Sequence, residues 1–147
     1  MSRLVEATSP AQIAVVRELF AEYARGVDEP RCFVGFEREL AALPGDYRLF
    51  LADDGGGCVA LRYLGSETAE MKRLYVRGTH RGKGLGRVLA ETAIRAARES
   101  GCARIVLDTL PKMGEAQALY RSLGFREIGP YLEKPTPGAI CFELSLS

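Results

Sequence analysis

Three observations predict a single α/β domain built on one sheet with mixed strand pairing. Apolar residues recur at helical spacing in four separate segments, short strand-like runs are interleaved with them, and glycine or proline marks most of the junctions. The order of these segments is helices, a hairpin, two strand–helix–strand units and a last strand, which calls for both parallel and antiparallel neighbours.

The elements follow in order. Ser9-Pro10 with Gln12 resembles a capping box with proline at the first helical position, and Ile13, Val16, Phe20 and Tyr23 continue it as a helical stripe that residues 24–31 should break. Phe33, Phe36, Leu40 and Leu43 predict a second, short helix ending at Pro44-Gly45. Residues 47–53 and 58–64 read as strands joined at a DDGGG turn, and 70–76 as a third strand. From Leu85 to Ser100 an amphipathic helix is expected, with Leu85, Val88, Leu89, Thr92 and Ala96 on its apolar face. On its other face, Arg87, Glu91, Arg95 and Glu99 should form a salt-bridge row, and Gly101 should end the helix in the left-handed conformation. A buried strand over 103–109, a helix over 113–123 stopped by Gly124, the short strand FREI and a half-buried strand from Ile140 to Leu146 complete the chain.

Composition removes several function classes. The 147 residues are 47% hydrophobic and 27% charged with a net charge of +1, values of a folded globular chain and not of a general nucleic-acid or membrane binder. No apolar run reaches the roughly 20 residues that span a bilayer, and the N-terminal stretch MSRLVEATSP lacks the apolar core of a signal peptide. Cys32, Cys58, Cys102 and Cys141 are scattered, without a close pair that would suggest metal or redox chemistry. A reducing, cytoplasmic setting and no bound metal are therefore expected.

One stretch runs against electrostatic expectation. In VRGTHRGKGLGR (76–87), Arg77, Arg81, Lys83 and Arg87 crowd the start of a helix, an end that favours acids. A strand, a glycine-rich turn and a helix N-terminus form an anion site, because free backbone N–H groups converge there. Gly82, Gly84 and Gly86 would let the backbone approach the ligand closely, and the cations imply a ligand of several negative charges. A phosphate-loop nucleotide site fails because Arg77 stands where its first glycine belongs; a dinucleotide fingerprint fails because Arg87 stands where its last glycine belongs. A methyltransferase-like site would use an acid at the end of the next strand, Asp108, but its cationic donor does not suit this charge.

Arg81-Gly82-Lys83-Gly84-Leu85-Gly86 resembles the acyl-coenzyme A loop of the GNAT N-acetyltransferase superfamily, and MKRLYV (71–76) and ALYRSLGF (118–125) agree with it. The similarity covers about Tyr47 to the C-terminus. It implies a mostly antiparallel central sheet flanked by helices, acetyl-CoA as co-substrate and direct transfer to a primary amine. Leu74, Tyr75 and Val76 would pair with the pantetheine arm. Arg81, Gly82, Lys83, Gly84, Leu85, Gly86 and Arg87 would hold the pyrophosphate, and Tyr120 would stand beside the thioester sulfur. Many members have asparagine where this chain has Met113.

The chemistry needs a proton acceptor for an amine with a pKa near 10 and a donor for the departing thiolate. Tyr120 is the candidate acid, with a ring packed beside Leu119 and Leu123 as the alternative. Glu70 is the first candidate base, or else a strand-end acid paired with Arg73; Glu22 and Glu133 come after it, and His80 reads as a solvated loop residue. The proline-rich loop PYLEKPTPG (130–138) should shape the acceptor site through Tyr131 and Glu133, together with residues around 20–36. A small or amino-acid-like amine is the expected partner; a homodimer is compatible with the chain, and neither nucleic acid nor membrane is expected. A protein lysine or N-terminal acceptor, or an acyl-CoA sensor without turnover, are the alternatives.

Overall fold

The computed structural model describes residues 3–27 and 33–147, so Cys32 and the second half of the expected break after the first helix, 28–31, lie outside the described residues. Among the described residues seven strands form one sheet, in the order β1-β2-β3-β4-β5-β7-β6. They are β1 (Leu4–Glu6), β2 (Arg48–Ala52), β3 (Gly57–Tyr63), β4 (Thr68–Val76), β5 (Arg104–Thr109), β6 (Arg126–Ile128) and β7 (Ile140–Ser145). The helices are α1 (Pro10–Val27), α2 (Phe36–Ala42), α3 (Leu85–Glu99) and α4 (Gly114–Ser122). All pairs are antiparallel except β4–β5, which α3 joins as a crossover. The expected mixed, mostly antiparallel sheet flanked by helices is therefore present. The second strand–helix–strand unit does not put its strands side by side, because β7 returns between β5 and β6.

The first helix starts as its sequence requires. The Gln12 side chain accepts from the Thr8 and Ser9 N–H groups while Ser9 Oγ accepts from the Gln12 N–H at 3.1 Å, a reciprocal cap. It runs on to Val27, beyond the predicted end near Tyr23, and buries Val16, Leu19 and Phe20 against β2 and β3. On the opposite face of the sheet α3 buries Leu89, Ala90, Ala93, Ile94, Ala96 and Ala97. Its buried face is rotated from the predicted one: Val88 is 41% exposed, and the small side chains of Ala90, Ala93 and Ala97 bring the helix close to the strands. The predicted row of ion pairs along α3 does not form; Arg87 donates instead to Ser122 Oγ on α4. Burying side chains the size of Phe20, Phe142 and Leu89 stabilises such a core by about 1.5–3 kcal/mol each.

Two irregularities in β4 prepare the site. The β4–β5 ladder stops at Glu70–Val106, after which the strands part. On the other edge of β4, Cys58 faces Tyr75 while Ala60 faces Lys72, so β4 carries one extra residue. Arg73 takes up the bulge at φ 58°, the one non-glycine residue with positive φ among those described.

Candidate active site

The splay between β4 and β5 opens a cleft of about 890 Å³. Its walls are β4 from Met71 to Val76, the glycine turn into α3, the end of β5 (Asp108 and Thr109) with Leu110 after it, the first turns of α4 and the C-terminal end of α1. Past Glu70 the backbone of β4 has no strand partner on the β5 side, so its edge is open to a ligand's amide groups.

At one end the chain leaves β4 through a short 3₁₀ turn (Gly78–His80) and the glycine loop. Gly82 and Gly84 have φ of 78° and 80°, a left-handed conformation that glycine adopts without a Cβ penalty. A Cβ at either would meet nothing within 4 Å, so the space above the loop is open. Gly84 caps α3 without a side chain, leaving the first-turn N–H groups to any anion placed there. Gly86 has Val76 and Leu119 beside it, which ties the loop to both walls.

The basic side chains of this stretch divide. Arg77 faces away to α1, where it bonds Glu22 at 2.6 Å and lies 3.3 Å from Glu18. Arg81 donates through Nε to the Val76 carbonyl at 3.0 Å and lines the cleft; Lys83 is exposed. His80 is half-buried and not simply solvated. Its Nε2 lies 3.3 Å from Asp54, its Nδ1 is 2.8 Å from Thr79 Oγ1, and its ring covers Gly56 so closely that a Cβ there would meet it at 2.4 Å.

Tyr120 is on α4, buried against Phe125 and Phe142 at ring separations of 5.8 and 6.1 Å, and it also lines the cleft. The ring belongs to the core, as one of its two sequence readings has it, and the hydroxyl bonds to no described residue. Burial raises that hydroxyl well above the ordinary phenol value, so it stays protonated at neutral pH. Met113 lines the same wall, its sulfur accepting from the Thr109 hydroxyl at 3.3 Å.

The other end differs from expectation. Glu70 is completely buried and does not line the cleft; Arg62 donates to Oε1 at 2.5 Å and the Tyr131 hydroxyl to Oε2 at 2.5 Å. Fully buried and outside the cleft lining, it does not meet an acceptor directly. Its partner is Arg62, not Arg73, whose guanidinium bonds Glu39 at 3.0 Å and stacks on Phe33 at 4.6 Å. Tyr131 is likewise turned to Glu70, and Glu133 is exposed outside the cleft wall. It is Thr136 and Ala139 that bring the 130–139 segment to the cleft. Glu22, held by Arg77 and by the Tyr75 hydroxyl at 3.2 Å, has a carboxyl lowered first by its bond to Arg77, which unfits it as a base.

Two carboxylates line the cleft, Asp108 at the end of β5 and Glu115 in the first turn of α4; Asp108 is the one at the splay. Burial raises its pKa; Lys72 opposes that shift, and the charge of Glu70 adds to it. In the sequence Asp108 closes the apolar run ARIVL, a position that on sequence grounds suits only a methyltransferase-like site.

The sequence profile described as Acetyltransferase (GNAT) family matches residues 13–125. The chain belongs to the GNAT acetyltransferase family. An uncharacterised N-acetyltransferase of Schizosaccharomyces pombe is 33% identical, over 94% of this chain and 91% of the relative. One of Escherichia coli, also uncharacterised, is 33% identical over 87% and 82%. Among solved structures, a GNAT acetyltransferase of Staphylococcus aureus superposes with a TM-score of 0.81 at 19% identity, covering 100% of both chains. A Salmonella typhimurium protein assigned as an acetyltransferase, solved with its cofactor acetyl-CoA, superposes with a TM-score of 0.73 at 20% identity over 98% and 94%. At these identities the structural matches speak for the fold alone. The GNAT fold accounts for the layout: a splayed strand pair with a glycine turn at one end. Among the described residues no helix is long and apolar enough to cross a membrane.

Proposed function

We propose that this GNAT chain transfers an acetyl group from acetyl-CoA to a primary amine of a small, amino-acid-like molecule, by direct transfer with both substrates bound. The observation that carries this reading is that one cleft joins an anion-binding glycine turn to a carboxylate, Asp108, and a neutral phenol, Tyr120. The residues fit the co-substrate. Gly82 and Gly84 leave open space over an uncapped helix start, with Arg81 and Lys83 near a polyphosphate, and the unpaired edge of β4 from Leu74 to Val76 suits the amides of a pantetheine arm.

Asp108, and not Glu70, is the base in this reading. It receives a proton from the bound ammonium, so that the nitrogen lone pair can attack the thioester carbon. A C–N bond forms and the C–S bond breaks; Tyr120 gives its proton to the departing sulfur and is reprotonated by the second proton that the nitrogen sheds as it becomes an amide. A carboxyl raised by burial is a better match to an amine than an exposed one, since proton transfer improves as the two pKa values approach. Glu70 acts at one remove: bonded to Arg62 and Tyr131, it fixes the acceptor loop to the sheet.

The test is thiol release from acetyl-CoA with a broad panel of primary amines, alongside isothermal titration of acetyl-CoA and of a coenzyme A stripped of its phosphates. Turnover with at least one small amine, and much weaker binding of the stripped form, are expected. Tight binding without release for any amine would make the chain an acyl-CoA sensor. Release with lysine-containing or N-terminal peptides alone would move the acceptor to protein.

A further inference from the structure

We infer that the amine acetylated in this cleft carries its own carboxylate, and that Lys72 is the residue that selects it; the inference rests on the acetyl-transfer reading above. The geometry starts from the last paired residues of the parallel ladder, Glu70 and Val106. Lys72 and Asp108 each stand two residues further along, so they leave the same face of the sheet and flank the opening of the splay from its two sides. Both line the cleft, and the charge of Lys72 is felt at Asp108.

Lys72 differs from the other cations at this end. Arg73 is neutralised by Glu39 and covered by the rings of Phe33 and Phe36. Lys112 donates to the Val27 carbonyl across the cleft. Lys72 has no carboxylate at ion-pair distance among the described residues. For a plain cationic amine this placement is unfavourable twice over: Lys72 repels the incoming ammonium, and it weakens Asp108 as a base. Both disadvantages vanish when the acceptor brings a negative charge of its own. The ammonium of such a molecule then faces Asp108 while its carboxylate faces Lys72, a two-point match that also fixes which way round the amine lies. Tyr23 and Phe33, 6.0 Å apart on the same side of the cleft, offer an apolar surface for the rest of the molecule.

The experiment compares free α-amino acids with their amides and with the corresponding decarboxylated amines, using phenylalanine, methionine and leucine as probes in the thiol-release assay. An amino amide is the less basic amine and loses its proton more readily, so proton removal alone would favour it. A preference for the amino acid therefore reports on the carboxylate. The wild type is expected to give a kcat/KM about 10- to 100-fold higher for the acids, the range of a charge-assisted hydrogen bond. Lys72→Met should erase that ratio, chiefly through the KM of the acids, while leaving acetyl-CoA affinity unchanged, and Lys72→Arg should restore most of it.

Equal or better use of the amides and amines by the wild type would overturn the inference and leave acetyl transfer standing. So would a Lys72→Met variant that slows acids and amides alike, since Lys72 would then only balance Asp108. Acetyl-CoA binding with no turnover of any probe, peptide or amine would overturn both.

Discussion

The two ends of the cleft hold charge in different ways. At the glycine turn, anion-binding groups lie within a few consecutive residues: the left-handed Gly82 and Gly84, the uncapped start of α3, and Arg81 and Lys83 around them. At the acceptor end nothing is consecutive. Glu70 of β4 meets Arg62 of β3 and Tyr131 of a distant loop, Arg73 meets Glu39 of α2, and Asp108 of β5 stands opposite Lys72. The first end is mostly backbone, open to solvent and tolerant of side-chain change. The second is a set of desolvated charges whose roles depend on which partner each one finds. A ligand with fixed chemistry suits the first plan; discrimination among acceptors suits the second, because a buried polar group left unpaired is costly.

The largest effect that could break this contrast belongs to the backbone end. Gly84→Val places a β-branched residue at φ 80° where the main chain must approach its ligand. Isothermal titration should show acetyl-CoA affinity lowered at least about 100-fold, since such strain costs about 1–3 kcal/mol before any clash with the ligand. Near-normal affinity would mean that the loop does not hold the phosphates.

Tyr120→Phe comes next. The ring keeps its contacts with Phe125 and Phe142 and no hydrogen bond to a described residue is lost, so the melting temperature should hold. Loss of the proton donor should lower kcat by about 10²-fold, the modest end of general-acid effects because a thiolate leaves readily. An unchanged kcat, with chemistry shown to limit the rate, would leave Tyr120 to the core alone.

A third test uses stability. Burial raises the folded pKa of Asp108 above its unfolded value, so the folded state holds that proton more tightly. Its contribution is lost as pH rises from the usual carboxylate range through the raised value, and above it the ionised side chain costs stability. Asp108→Asn carries no such charge. Melting temperatures between pH 4 and 8 should therefore show the variant gaining on the wild type as pH rises. A variant that loses ground toward neutral pH would mean that Asp108 is stabilised as a carboxylate, which would disqualify it as a base.

The smallest effects are at the acceptor loop. Tyr131→Phe leaves one oxygen of buried Glu70 unpaired, a cost of about 1–3 kcal/mol, and should raise the acceptor KM a few-fold by loosening residues 130–139. Exposed Glu133→Gln should change acceptor kinetics by less than about twofold. A large effect of Glu133→Gln would bring that loop into the cleft by another route.

What the sequence made legible follows the same division. The glycine turn, the β4 edge and Tyr120 are consecutive motifs, and the fold follows from periodicity and the junction residues, apart from three-residue β1 and the rotated face of α3. Arg77 and Glu70 depart from expectation for a shared reason: their partners, 55 and 8 residues away, are supplied only by the tertiary fold. Asp108 was the reverse case, an acid inside an apolar strand whose meaning depends on the splay that exposes it.

In the proposed mechanism one cleft binds acetyl-CoA at the glycine turn and removes the acceptor's proton at Asp108. Measuring both the acetyl-CoA Kd by titration and kcat/KM for the best amine by thiol release, on wild type and Asp108→Asn, separates these two roles. The expected result is an unchanged Kd with kcat/KM lowered by about 10²- to 10⁴-fold, the range of a lost general base. Equal kcat/KM in the two proteins would contradict the mechanism.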